Sequence, residues 1–486
     1  MTDSIDREPQ DRPPPGAPGH VTSIEDPEET RLNRVITRPM LTFFILGDIL
    51  GAGIYALTGQ VAGDVGGAIW ASFLLAFALA FVTAFAYLEL VTKYPRAAGA
   101  ALYVHRAYGI AILSFLVTVA VMASGVTSAS FSATRIGGRY YEGLFGVENP
   151  PTVLIAILVI CLVAVVNYWG VGESIKINIG ITLIELTGLL AIIAIGVYVL
   201  LTGKGNPGQA LEFKDSGFGA LTGITAGAAT GFYAFIGFED SVNMAEEVRN
   251  PSRTFPPALV GGIVGASIIY LLVGFTAAMT VPLDVLTEST GPLLEIVRLG
   301  IPDLNVDTAF SAIAMIAVSN TMLINMLMAS RLLYGMANQG VLPAPFGLVS
   351  PRRTPWFAII FTTALSIVLI LAVEDFTNLA DTTVLLLVAV FFLVNITVLV
   401  LRRDPVSHGH FTAPAVLPII GALVCLVFLL PIDRDAEIYR LAVYLLIGGL
   451  VLWGLNFLVT RRTGTVVAEQ DLTTGPEGDR RTDDRP

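Results

Sequence analysis

Leu46-Gly47-Asp48-Ile49-Leu50-Gly51-Ala52-Gly53-Ile54-Tyr55 sits inside the first long apolar stretch of the chain. Three glycines and an acid are out of place in an ordinary membrane helix. A second stretch repeats the pattern: Gly231-Phe232-Tyr233-Ala234-Phe235-Ile236-Gly237-Phe238-Glu239-Asp240. These two stretches decide the fold, because glycine yields helical geometry at little steric cost. An acid at mid-membrane costs at least about 2.5–3.5 kcal/mol on insertion scales, so it is seldom there without use.

The surroundings place both stretches in a bilayer. Of the 486 residues, 54% are hydrophobic and 14% charged, and the mean hydropathy is +0.73. A soluble domain carries about 25% charged residues. Apolar runs such as 68–90, 181–201 and 384–401 are long enough to cross a hydrocarbon core of about 30 Å. Twelve spans are predicted, at 40–60, 67–92, 111–135, 152–168, 174–202, 218–247, 257–281, 307–335, 356–374, 378–401, 415–431 and 438–460.

The glycine breaks fall in spans 1 and 6. Paired glycine-interrupted spans at matching places in two halves are a pointer to a transporter binding site. This predicts an all-α membrane protein with two inverted five-helix repeats, at 39–203 and 204–403. Helices 11 and 12 follow at 404–462. The tails 1–38 and 463–486 are polar, the first is proline-rich without an apolar leader-like core, and both are expected to be disordered.

Lys and Arg near the span ends give the orientation. Arg31, Arg34, Arg38, Lys93, Arg96, Arg106, Lys176, Arg249, Arg253, Arg331, Arg352, Arg353, Arg402, Arg403, Arg461 and Arg462 fall on one side. The other side holds only Arg135, Arg139, Lys204, Lys214, Arg298 and Arg434. Both termini are thus expected in the cytoplasm, in a bacterial inner membrane. The net charge of −11 lies largely in the tails and suggests no nucleic-acid partner.

Unwinding at Gly51 and Gly53 would free backbone N–H groups at the start of a half-helix, a setting that suits a carboxylate. Close packing of helices through small residues is the competing explanation. Unwinding of span 6 would leave the carbonyls of Tyr233, Ala234, Phe235 and Ile236 to accept from an ammonium group. Together the breaks fit the head group of an α-amino acid. Phe232 and Phe238, with Tyr233 and Phe235, are gate candidates or packing residues.

Asp48, Glu185, Glu239 and Asp240 are the span acids that are candidates for function, and Asp48, Glu185 and Glu239 are the proton-coupling candidates. Glu185 lies among Leu183, Ile184 and Leu186, about 17 Å along its helix from the cytoplasmic end. It could bind and release a proton, or be a neutral structural acid. Asp48 and Glu239 could pair instead with hydroxyls or backbone donors near the breaks. Glu246 and Glu247, and likewise Glu89, Lys93 and Arg96, read as a cytoplasmic gate or as surface ion pairs. Ser124, Thr127, Ser128, Asn320 and Asn325 are possible polar liners of a side-chain pocket.

No Walker loop, nucleophile elbow or dinucleotide fingerprint occurs, so no enzyme activity and no cofactor are expected. No metal site is expected either: Cys161 and Cys425 read as packing residues, and His408 with His410 lie in a loop.

Several blocks resemble the amino acid–polyamine–organocation superfamily of permeases. They are Gly51 to Tyr55, Glu89 with Tyr94 to Gly99, Phe235 to Glu239 with Ala245-Glu246-Glu247 and Asn250-Pro251, and Ser330 to Ala337 with Gly340 to Pro343. They span roughly residues 40–345, and the likeness is nearest to the cationic amino acid transporter branch and its bacterial relatives. The resemblance implies the leucine-transporter fold and alternating access. It implies a substrate carboxylate at Ile49, Gly51, Ala52 and Gly53, and a substrate amine at the carbonyls of residues 233–236. In one respect the chain departs from it. Several proton-coupled relatives carry Thr-x-x-Lys in span 5, where this chain has Thr182-Leu183-Ile184-Glu185. The expected function is secondary transport of an amino acid or a related zwitterion or cation, coupled to protons. Exchange, sodium coupling and a non-transporting sensor are the alternatives.

Overall fold

The computed structural model describes residues 34–214, 219–289, 291–302, 306–373, 377–430 and 436–463. Most of the two tails and Arg434 lie outside these residues. Among the described residues the structure is helical, and the only strand-like pairings are two isolated bridges, Ile36 with Val248 and Gly66 with Phe213.

Helices occupy every place where a span is predicted. Span 1 is divided into α1 (Arg38–Ile49) and α2 (Ala52–Val65), and span 2 is α3 (Ile69–Lys93). A short α4 (Gly99–Tyr108) precedes α5 (Ala111–Arg135), which runs through a π-helical turn, Ile136–Tyr140, into α6 (Tyr141–Phe145). Next come α7 (Thr152–Trp169) and α8 (Val171–Leu201), then α9 (Ala220–Phe232), which stops in the middle of span 6. α10 (Pro251–Thr280) is followed by two short helices, α11 (Leu283–Glu288) and α12 (Pro292–Gly300). The chain ends with α13 (Val306–Asn338), α14 (Trp356–Ala372), α15 (Thr377–Leu401), α16 (Val416–Leu429) and α17 (Ala436–Thr463).

Eight helical stretches among the described residues are long and apolar enough to cross a bilayer, and the bent α1–α2 pair makes a ninth. α14 and α16 are shorter apolar helices. The outer surface is apolar as well. Leu154, Leu158 and Leu162 recur every four residues on α7 and are 57%, 60% and 63% exposed. Ala156, Ile160 and Asn167 on its other side are buried. A helix that turns leucines outward and an asparagine inward is suited to lipid rather than water, and a large exposed apolar surface marks a membrane contact.

The interior is built where α1 packs on α10, α3 packs on α9 and α10, and α5 packs on α13 and α15. The breaks in α1–α2 and after α9 lie within this packing. α4, α11 and α12 are short, and no apolar run marks them in the sequence.

Candidate functional site

The first break is local and sharp. α1 ends at Ile49, and Gly51, with ψ −146°, caps α2 without any side-chain hydrogen bond. One turn beyond it the span bends, with the segments Arg38–Tyr55 and Leu57–Val65 inclined at 64° to each other. The amides of the first turn of α2 have no intrahelical acceptor, and Gly51 has no side chain with which to cap them.

The second break is longer. α9 gives way to a 3₁₀ turn over Tyr233–Phe235, then to non-helical residues 236–239, then to a 3₁₀ segment Asp240–Glu247. Gly237 has φ +132°, a conformation that side chains disfavour. It also faces the backbone and carboxyl of Asp48, since a Cβ there would lie 2.8 Å from the Asp48 Cγ. The Glu239 Oε2 accepts from the Gly237 amide at 2.9 Å. Glu239 thus bonds a backbone donor of the break, one of the two roles open to it.

The breaks meet around a small cavity. Its walls are Asp48, Ile49, Gly51 and Gly53 from the first break, and Tyr233, Ile236 and Gly237 from the second. Ser128 of α5, and Thr321 and Asn325 of α13, complete them. The space open to a water's centre is ≈ 10 Å³, about what one water needs. An amino acid enters only if the walls part.

Of the residues singled out in the sequence, Ile49, Gly51, Gly53, Tyr233 and Ile236 line this cavity. Ala234 lies behind it, in backbone contact with Gly53. Ala52 begins α2, and its side chain is outside the described residues. Phe235 packs edge-on against Phe73 and Tyr270. Phe232 and Phe238 pack on Phe391, away from the cavity. Ser128 and Asn325 are in the wall, and the Ser128 hydroxyl is 3.2 Å from that of Tyr233. Thr127 pairs instead with Thr383 at 2.7 Å, and Ser124 donates within α5 to Val121. Asn320 accepts from Asn178 of α8 at 2.8 Å and donates to the Gly47 carbonyl at 3.1 Å. It thereby ties α13, α8 and α1 together.

One contributor carries no mark in the sequence. The Tyr270 hydroxyl of α10 reaches the carbonyls of both Ile49 and Ala234, the latter at 3.0 Å. The Tyr233 carbonyl accepts from the Ile236 amide at 3.3 Å. Two of the four carbonyls expected to meet an amine therefore have partners within the protein.

The acids are buried and sparsely bonded. Asp48 is 4% exposed, and its Oδ2 has no hydrogen-bond partner among the described residues. The Glu239 Oε1 also has none. Glu185 is fully buried, and both its carboxyl oxygens lack a hydrogen-bond partner among the described residues. No ion pair among the described residues includes any of these three acids.

A band of polar contacts holds the end of the molecule where α3 and α15 stop. Arg402 forks onto Glu89 at 2.7 and 2.8 Å, and the Ala413 amide donates to the same carboxylate at 2.8 Å. Lys93 donates to the Leu401 carbonyl at 2.5 Å. His408 lies 3.2 Å from the Thr92 carbonyl, and Glu246 accepts from the Ala97 amide at 3.1 Å. The Tyr94 phenol, outside the spans, donates to Asp404; burial first and this bond second push its pKa up. Glu247 and Arg331 are both buried and lie 4.0 Å apart. Ile36 bridges to Val248, so the start of the first broken segment is joined to the end of the second.

A multi-pass helical protein with two broken segments meeting at a central cavity is a membrane transport protein by architecture. The chain belongs to the amino acid permease family, within the amino acid–polyamine–organocation superfamily: the family model described as Amino acid permease matches residues 36–452. It is similar to the methylthioribose transporter of Bacillus subtilis, 27% identical over 82% of this chain and 88% of that one. The branched-chain amino acid permease BcaP of Bacillus subtilis is 25% identical, over 89% of this chain and 94% of that one. The cationic amino acid transporter 9 of Arabidopsis thaliana is 27% identical, over 63% and 55% respectively.

Proposed function

We propose that the chain imports an amino acid across a bacterial inner membrane by alternating access. In this reading it has twelve spans, inverted repeats at 39–203 and 204–403, and both termini in the cytoplasm. The substrate binds between the broken segments of spans 1 and 6. Its carboxylate meets the glycine-capped start of α2 at Ile49, Gly51, Ala52 and Gly53, and its ammonium meets the second break at residues 233–236. The single observation that carries the reading is the cavity wall, where a glycine-capped helix start lies across from unwound backbone.

Proton coupling is proposed through Glu185. Its carboxyl is buried, has no hydrogen-bond partner among the described residues and joins none of the described ion pairs, and an acid so placed in a membrane span is a candidate for function. Relatives named for branched-chain and cationic amino acids make leucine and arginine the first substrates to try.

Counterflow in proteoliposomes is the test. Purified protein should accumulate labelled amino acid against an unlabelled internal pool. If no amino acid, amine or organic cation enters, the transporter reading fails. Binding without flux would make the protein a sensor.

A further inference from the structure

We propose that Asp48 is the counter-ion of the substrate's ammonium group, and that proton and ammonium compete for its carboxylate. This rests on the reading of the cavity as an amino acid site.

Asp48 ends the first half of the broken span and stands in the cavity wall beside Ile49. It is buried, and its Oδ2 lacks any hydrogen-bond partner among the described residues. The titratable groups facing it add no positive charge. They are Glu239 and Asp240 of the second break and the Tyr270 phenol of α10. Packed against the same helix, α8 brings Glu185, and α13 brings Arg331, which is paired with Glu247. A lone carboxylate in this place is uncompensated, and two further acids repel it.

Two states relieve that cost. In the contracted cavity, with room for about one water, Asp48 is a carboxylic acid. When the walls part and a substrate enters, its –NH₃⁺ takes the place of the proton. The Asp48 O–H bond breaks, the proton leaves to water, and one positive charge replaces another. The partnered carbonyls of Tyr233 and Ala234 make the need sharper, because the second break then offers the amine fewer free acceptors. Glu185 is not in the cavity wall, so substrate entry does not displace a proton there.

Linkage gives the measurement. Binding that expels about one proton tightens about tenfold per pH unit while Asp48 is protonated in the free protein. Calorimetry of the full-length protein in detergent, with leucine and with arginine, in buffers of different ionisation heat, counts protons released. The pH is kept below the range in which the amine itself titrates. Release of about one proton in the wild type, lost in Asp48→Asn and kept in Glu185→Gln, is the expected result. Binding with no release, release that survives Asp48→Asn, or release lost in Glu185→Gln overturns the Asp48 assignment and leaves the amino acid site standing. If no amino acid binds the wild type, both readings fall together. Should Asp48→Asn not fold, wild-type affinity decides: an affinity that does not change with pH refutes the proposal, and one that rises with pH in Glu239→Gln as in the wild type supports it.

Discussion

Gly53 of the first break lies against the backbone of Ala234 in the second: a Cβ added to Gly53 would come 2.5 Å from the Ala234 Cα. Backbone meets backbone there, with no side chain that can swing away. Gly53→Ala must push the broken segments apart, and overpacking of this kind costs about 1–3 kcal/mol. The variant is expected to reach the membrane with a lowered thermal midpoint and to lose most of its transport. Uptake at the wild-type rate would show that the segments do not need this approach.

Tyr270→Phe removes the hydroxyl shared by the Ile49 and Ala234 carbonyls. A buried carbonyl left without a donor costs about 1–3 kcal/mol. The thermal midpoint should fall, and added substrate should recover part of the loss, since an ammonium can take up the freed Ala234 carbonyl. A midpoint equal to that of the wild type would refute the bridging role.

Glu247 and Arg331 make a buried pair. Removing one charge strands the other, at a cost of about 3–5 kcal/mol for a fully buried pair. Glu247→Gln alone should therefore destabilise more than Glu247→Gln combined with Arg331→Met. A double-mutant cycle on thermal unfolding measures the difference, and additive effects would mean that the charges are independent.

Glu185→Gln keeps the shape of the side chain and removes its proton chemistry. Uptake driven by an inward proton gradient should vanish, while counterflow without a gradient continues. Proton-driven uptake equal to the wild type would exclude Glu185 from coupling.

The helices and both breaks are legible in the amino-acid sequence. Long apolar runs leave few choices besides helices, so helices occupy each predicted place. Glycines beside an acid mark both breaks, because helix interiors rarely tolerate that combination. Other parts left no trace. Tyr270 stands 221 residues from Ile49, inside an apolar run where a tyrosine is unremarkable. Its role comes from how α10 crosses α1, which no local pattern encodes. Asn320 and Asn325 look alike in sequence, yet only Asn325 reaches the cavity, because one residue step rotates a helix by about 100° and five steps change the face. α4, α11 and α12 are too short and mixed for a hydropathy reading to find.

Layered crystals slip along the plane where cohesion is least. Here Asp48, Tyr55, Glu185 and Glu239 hold atoms without a hydrogen-bond partner among the described residues, where the broken segments meet α8. In the proposed alternating access, that contact is the one expected to slip. Substitutions that knit it together with apolar contacts would raise melting temperature and slow turnover, so a screen for thermostable variants will collect arrested molecules there first.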